Sequence, residues 1–188
     1  MALGKHGRHA DRYVGKETMA IPPLDEHLQK FTAGAISIGV EYRVLTDDII
    51  KAMGLTAVDG MQNLNDSGVS LHVFAKAADG DLERLRFDCF EDDPHFHYIS
   101  WEEITHDVIY LDPVVTGDLL AWALNAIRTR LPEMLAYAGI ENAAQLVDQS
   151  QLETILPQVA EAAYRARDHS DRAVVESTTL AAGVSAHG

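Results

Sequence analysis

Over residues 36–44, apolar and polar positions alternate strictly. Ile36, Ile38, Val40, Tyr42 and Val44 share one side, the mark of a half-buried strand. A short helical signal precedes it over residues 25–31. Thr46 is placed to cap a brief helix reaching Met53, with Asp47 and Asp48 at its positive end. Residues 56–68 are rich in Asp, Asn and Gly and predict a loop. Residues 69–74 predict a second strand and residues 82–90 a third, joined by turn chemistry at Ala78, Asp79, Gly80 and Asp81. In the third strand Leu85, Phe87 and Cys89 lie opposite Arg86, Asp88 and Phe90. Pro94 ends the hairpin, and residues 95–99 and 108–111 predict two more strands of an antiparallel meander.

The period then changes. Leu120, Leu124, Ile127, Leu131, Met134 and Ala138 recur at spacings of four and three, a coiled-coil-like seam interrupted by Pro132. Gly139 stands where a helix C-cap belongs. Ser150 and Glu153 have capping-box spacing for a last helix, kinked at Pro157, with a stripe of Leu152, Ile155 or Leu156, Val159 and Ala163. The fold class expected is α+β: a small antiparallel β-sheet over about 35–111 followed by a C-terminal helical region. The divisions are a flexible, disordered arm (1–24), a sheet domain (25–115), a helical oligomerisation region (116–168) and a flexible tail (169–188). A sheet of four or five short strands is too small to cover both helical stripes. Self-association through Leu120, Leu124, Ile127, Leu131, Met134, Leu152, Ile155 and Val159 is therefore expected.

Composition narrows the classes. The chain has 188 residues, 47% of them apolar, enough for a core. Its net charge of −14 disfavours binding to phosphate backbones, so no nucleic-acid partner is expected. The arm alone is basic, through Lys5, Arg8, Arg12 and Lys16. The single cysteine, Cys89, excludes a disulfide framework and a cysteine-ligated cluster within the chain. It sits between two phenylalanines, as a buried, inert thiol would. No stretch has the length of a membrane span and no secretory signal is visible, so a cytoplasmic protein is expected.

The densest polar stretch is residues 87–98. His95 and His97 alternate on a strand, so both imidazoles point to one face, and Glu102 follows five residues on. His95, His97 and Glu102 give the H-x-H-x4-E spacing of a metal site and resemble the first cupin metal motif, without that motif's flanking glycines or its second half. That metal site is the fallback; the reading preferred over it has no metal and is an acidic turn in which the histidines pair with Asp92, Asp93 or Asp88. Trp122 and Tyr98 are candidate walls of a small-ligand cleft between sheet and helix.

The phrases L-R-F-D-C-F-E-D-D-P-H-F-H-Y-I (residues 85–99) and G-D-L-L-A-W-A-L-N-A-I-R-T-R-L-P-E-M-L-A-Y-A-G (residues 117–139) resemble those of a family of small bacterial proteins without assigned activity. In its size, its arm before a sheet and its helical C-terminal half, the chain also resembles the small accessory subunit of actinobacterial high-affinity uptake [NiFe]-hydrogenases. That resemblance implies a non-catalytic scaffold that multimerises through its C-terminal helices. It would hold the hydrogenase large and small subunits peripherally at the inner face of the membrane, binding no cofactor itself, with quinone in the assembled complex. The alternatives are a metal-binding enzyme or sensor using His95, His97 and Glu102, and a small-ligand binding module.

Overall fold

Strict alternation puts Ile36, Ile38 and Val40 on the same side as Val69, Leu71 and Val73 of the neighbouring strand, and that shared surface organises the molecule. The computed structural model describes residues 13–18, 20–52, 65–77 and 80–169. Seven strands form one antiparallel sheet: β1 (Tyr13–Thr18), β2 (Gln29–Ala33), β3 (Ile36–Thr46), β4 (Asn65–Ala77), β5 (Gly80–Phe90), β6 (His95–Ser100) and β7 (Thr105–Tyr110). Their order across the sheet is β1-β7-β6-β5-β4-β3-β2. From β2 to β7 this is a plain meander. The short helix α1 (Asp47–Ala52) follows β3, with Thr46 accepting from the Ile49 amide. After β7 come α2 (Pro113–Thr116), α3 (Leu119–Tyr137), α4 (Ala143–Leu146) and α5 (Gln149–His169). The α+β class and the antiparallel meander agree with the sequence.

One face of the sheet is covered by α3 and α5. Leu120, Ile127, Leu131, Leu152 and Val159 meet Ile38, Leu71, Leu85 and Phe87 in a single core. The seam residues assigned to self-association pack inside the chain. Leu120, Ile127, Leu131, Met134, Leu152, Ile155 and Val159 are all buried within one chain, and Leu124 is half-buried. A heptad stripe packs as readily on a sheet of its own chain as on a copy, and seven strands, not four or five, supply the width. Pro132 and Pro157 sit inside continuous helices. Gly139 has a φ of 90°, a left-handed value that suits the residue just past α3.

Three local expectations change. Residues 25–31 do not form a helix: Asp25, Glu26 and His27 make one turn, and the chain continues as β2, where Phe31 pairs with Ile38. The predicted 56–68 loop lies outside the described residues up to 64, and its last four residues already belong to β4. The last helix is capped by Asp148, not Ser150. The Asp148 carboxylate accepts from the Gln151 amide at 3.1 Å and from the Gln151 side chain at 2.7 Å.

The N-terminal stretch is more than an arm. Its residues 13–18 run as β1 beside β7, with Thr18 opposite Thr105, while residues 1–12 and the tail from 170 onward lie outside the described residues. β1 and β2 occupy opposite edges of the sheet, so the segment joining them crosses a face. Its path is fixed by polar contacts: Arg43 Nη2 donates to the carbonyls of Ile21 and Pro22 at 3.3 and 3.4 Å, and the Leu24 amide donates to Glu41 at 3.2 Å. Gly39 leaves room for this strap, since a Cβ there would come within 2.6 Å of Leu28 Cδ1. Only two residues separate Thr18 from Ile21, about 11 Å of chain at most. On a flat sheet β1 and β3 would stand about 24 Å apart across five strand spacings, and Arg43 is also displaced from Thr105 along the strands. The sheet must therefore twist and curl toward the strap. β3, expected to be half-buried, is buried on both sides for this reason.

Truncating the seam tests its role. Ile127→Ala should lower the unfolding free energy by about 2–5 kcal/mol in urea, independent of protein concentration. A loss that appears only on dilution would instead mark an interface between copies.

Candidate metal centre

A bulge in the β4–β5 ladder sets up the face under the strap. Val73 pairs with Leu85 but Phe74 pairs with Glu83, leaving Arg84 as the extra residue. Glu83 and Arg86, three apart, thereby face the same side. Arg86 donates from Nε and Nη2 to the two Glu83 oxygens at 2.8 and 2.7 Å. His72 is wholly buried between two acids, with Nδ1 2.6 Å from Glu83 Oε1 and Nε2 3.2 Å from Glu41 Oε2. Arg43 reaches Glu41 at 3.6 Å and Asp88 at 3.9 Å. Three carboxylates and two guanidiniums leave one net negative charge among these acids and arginines.

Asp88 is the centre of this face. Its Oδ1 accepts from the Ser70 hydroxyl, and its Oδ2 lies 2.9 Å from His97 Nε2 and 3.3 Å from His95 Nε2. The sheet register brings them together: Asp88 pairs with His95 across β5 and β6, and Arg86 with His97. His95 Nδ1 donates to the Asp93 carbonyl at 2.6 Å. Both nitrogens of His95 therefore face acceptors. The ring must carry a second proton there, or its Nε2 must meet a cation. The rings of His95 and His97, and of His97 and His106, stand 4.8 Å apart.

The electrostatics follow from burial and these partners. Burial opposes the Asp88 charge, but the hydrogen bonds from His95 and His97 hold its carboxyl well below the usual range. Burial also opposes the charged form of His95, yet Asp88 and the Asp93 carbonyl raise it above its ordinary value. Burial, aided by the neighbouring His95 charge, pushes His97 down to about 3. That fits its Nδ1, which is buried without a hydrogen-bond partner among the described residues. Glu83 is held low despite burial, chiefly by Arg86. On the other face, burial pushes the Cys89 thiol up to about 12, which agrees with an inert role.

The sequence named all three members of this cluster: His95 and His97 as candidate ligands, and Asp88 as a pairing partner of the histidines in the acidic-turn reading, which the contacts to Asp88 bear out. Asp88, His95 and His97 offer ligand atoms that all lie within 4.8 Å of one another. Glu102 is not among them. It lies in the exposed turn after β6, where Arg84 holds both its oxygens at 2.9 and 3.0 Å. Five residues past His97 the strand has ended, so the acid comes from the adjacent strand instead. Glu41, Ser70, His72 and Arg86 were missed as participants. The available signal was charged residues at alternate positions of a strand, which normally marks a wet face. The candidate cleft walls Trp122 and Tyr98 are both engaged in ring contacts. Trp122 packs on Phe87 and Phe96, and Tyr98 on Phe96 and Tyr137.

Fold and site together define an α+β protein with a curled antiparallel sheet and a buried histidine–carboxylate cluster on its strapped face. The chain belongs to the family described as "Domain of unknown function (DUF7700)", which matches residues 30–163. No curated protein and no solved structure matches it significantly. No helix among the described residues is long and apolar enough to cross a membrane.

The ion pairs give the acid limb of stability a definite sign. Glu41, Glu83 and Asp88 all sit below their ordinary values in the folded chain, so their contribution is complete above about pH 4.5 and drains away as the pH falls through the folded values. Glu83→Gln should cost about 3–5 kcal/mol at pH 7, because it leaves Arg86 buried without its partner. It should also flatten the loss between about pH 4.5 and pH 3. Urea unfolding of chelator-treated protein at several pH values measures both.

Proposed function

We propose that this domain binds one divalent transition-metal ion through Asp88 Oδ2, His95 Nε2 and His97 Nε2. The observation that carries the proposal is the convergence of two imidazole nitrogens on one carboxylate oxygen, with His95 already donating its other nitrogen to a backbone carbonyl. Donors on arms of about 2.0–2.1 Å at tetrahedral angles stand about 3.3 Å apart, close to the two spacings from Asp88 Oδ2, 2.9 Å to His97 and 3.3 Å to His95. Two histidines and one carboxylate suit zinc, iron(II), cobalt or manganese, and leave further coordination positions for water or a substrate. The ion would replace the proton that His95 otherwise carries. His95, 15% exposed, is the least buried of the three and stands beside the exposed acidic turn of Glu91, Asp92 and Asp93.

This takes up the metal-binding alternative from the sequence, with Asp88 in the place of Glu102. The accessory-subunit reading, with hydrogenase subunits as partners and quinone in the complex, is supported by the resemblance alone. The helical residues it assigned to self-association are engaged in the chain's own core.

Chelator-stripped protein equilibrated with micromolar Zn²⁺ or Co²⁺ should take up one ion per chain by elemental analysis. Its thermal midpoint should rise with free metal concentration. His97→Gln and His95→Gln should each abolish uptake while keeping the far-ultraviolet spectrum, and Glu102→Gln should bind as the unaltered chain does. Stripped, folded protein that takes up no metal would refute the proposal.

A further inference from the structure

We infer that Asp66 is a positioning residue for this centre, setting metal affinity through the turn that precedes His95 without touching ligand or ion. The inference rests on the metal reading above and deepens it. A histidine ligates through Nε2 only when its Nδ1 keeps the proton and the ring is held at a fixed angle. For His95 the carbonyl oxygen of Asp93 holds the Nδ1 proton and, together with ring packing on Phe90, His97 and Tyr110, sets the ring angle. Asp93 belongs to no strand. Its side chain is exposed, and it sits in the bend between β5 and β6.

The ends of that bend are fixed by backbone pairs. The Glu91 amide donates to the Ser67 carbonyl at 3.1 Å, and the Leu111 amide donates to the Pro94 carbonyl at 2.9 Å. Among the described residues, the Asp66 side chain holds the middle. Asp66 Oδ1 accepts from the Asp92 amide at 3.1 Å, and Oδ2 accepts from the Asp93 amide at 2.9 Å. Oδ1 also accepts from the Ser67 amide at 2.8 Å, which locks the carboxylate to its own strand. Asp66 is 5% exposed, so water competes little for these bonds. A chain of contacts thus runs from Asp66 to the amides of the bend, to the Asp93 carbonyl, to His95 Nδ1, and on to the Nε2 that faces Asp88. Only a carboxylate can serve all three donors. An asparagine that keeps its oxygen toward Ser67 and Asp92 turns its amide nitrogen toward the Asp93 N–H, donor against donor. The substitution therefore loosens the residue whose carbonyl orients His95, while the backbone pairs at both ends of the bend remain.

The test titrates Zn²⁺ into chelator-stripped protein at a temperature where every variant is folded. Asp66→Asn should bind about 10–100-fold more weakly than the unaltered chain. Its His95 Nδ1–H resonance should lose the slow exchange and downfield position of a hydrogen-bonded proton, a readout that a merely stabilising role would not move. Asp92→Asn, which alters an exposed side chain of the same bend, should bind normally. A glycine inserted between Asp92 and Asp93 leaves the Asp66 carboxylate in place but displaces the carbonyl, and should weaken zinc by a similar factor. It serves if Asp66→Asn fails to fold. Unchanged zinc affinity in folded Asp66→Asn, or in the insertion variant, overturns the positioning role while leaving the centre standing. Absence of zinc uptake by the unaltered chain overturns the centre itself.

Discussion

A carboxylate withdrawn from water needs a donor for every lone pair that water served, and Asp88 has them. Ser70, His95 and His97 bond to it and Arg43 stands beside it. Much of the sheet follows from that requirement. Arg43 also holds the strap, so the group that balances Asp88 is the group that closes the face over it. Glu41 and Glu83 anchor Arg43, His72 and Arg86, and the β-bulge at Arg84 exists in the one place that lets Glu83 and Arg86 meet. The face away from the helices carries a dense set of buried ion pairs, and removing one partner of a pair leaves the other charge buried alone.

The helix face obeys simpler physics. Leu, Ile and Val of three strands meet the apolar stripes of α3 and α5, and area removed from water decides the arrangement. The two faces divide the work between stability and specificity. The apolar side tolerates any well-shaped hydrophobe, whereas the polar side is satisfied by one register alone, because a one-residue slip of β6 would turn His95 and His97 onto the helix side.

Elements with a period of their own were legible in the sequence. The alternation in β3, the hairpin of β4 and β5, the acidic break before β6 and the stripes of α3 and α5 all announce themselves within ten or twenty residues. What escaped depends on partners distant in the chain. β2 carries no alternation strong enough to outweigh a helical signal, and it becomes a strand because β3 offers it an edge. The seam of Leu120, Ile127 and Leu131 reads the same whether it meets a sheet or a second copy. At the site, His95 and His97 were legible because they share one strand. Asp88 was named as one of three acids that could pair with them, but the metal motif took Glu102 as its third ligand because sequence spacing counts along the chain, and a sheet brings ligands together across it.

The connection between the two edge strands also bears on how the chain assembles. β2 to β7 can form by adding neighbours in turn, each pairing closing a short loop. β1 is different: it leads the described chain in sequence, yet its partner β7 lies some ninety residues downstream. On a ribosome β1 would emerge early and wait for the last strand before it could pair. Its arrival would draw the strap across a sheet already formed on its helix side. The charged interior is then sealed as a late event, and the same step run backwards, with β1 peeling from the edge, would readmit water to Asp88 and its neighbours while the apolar core stays whole.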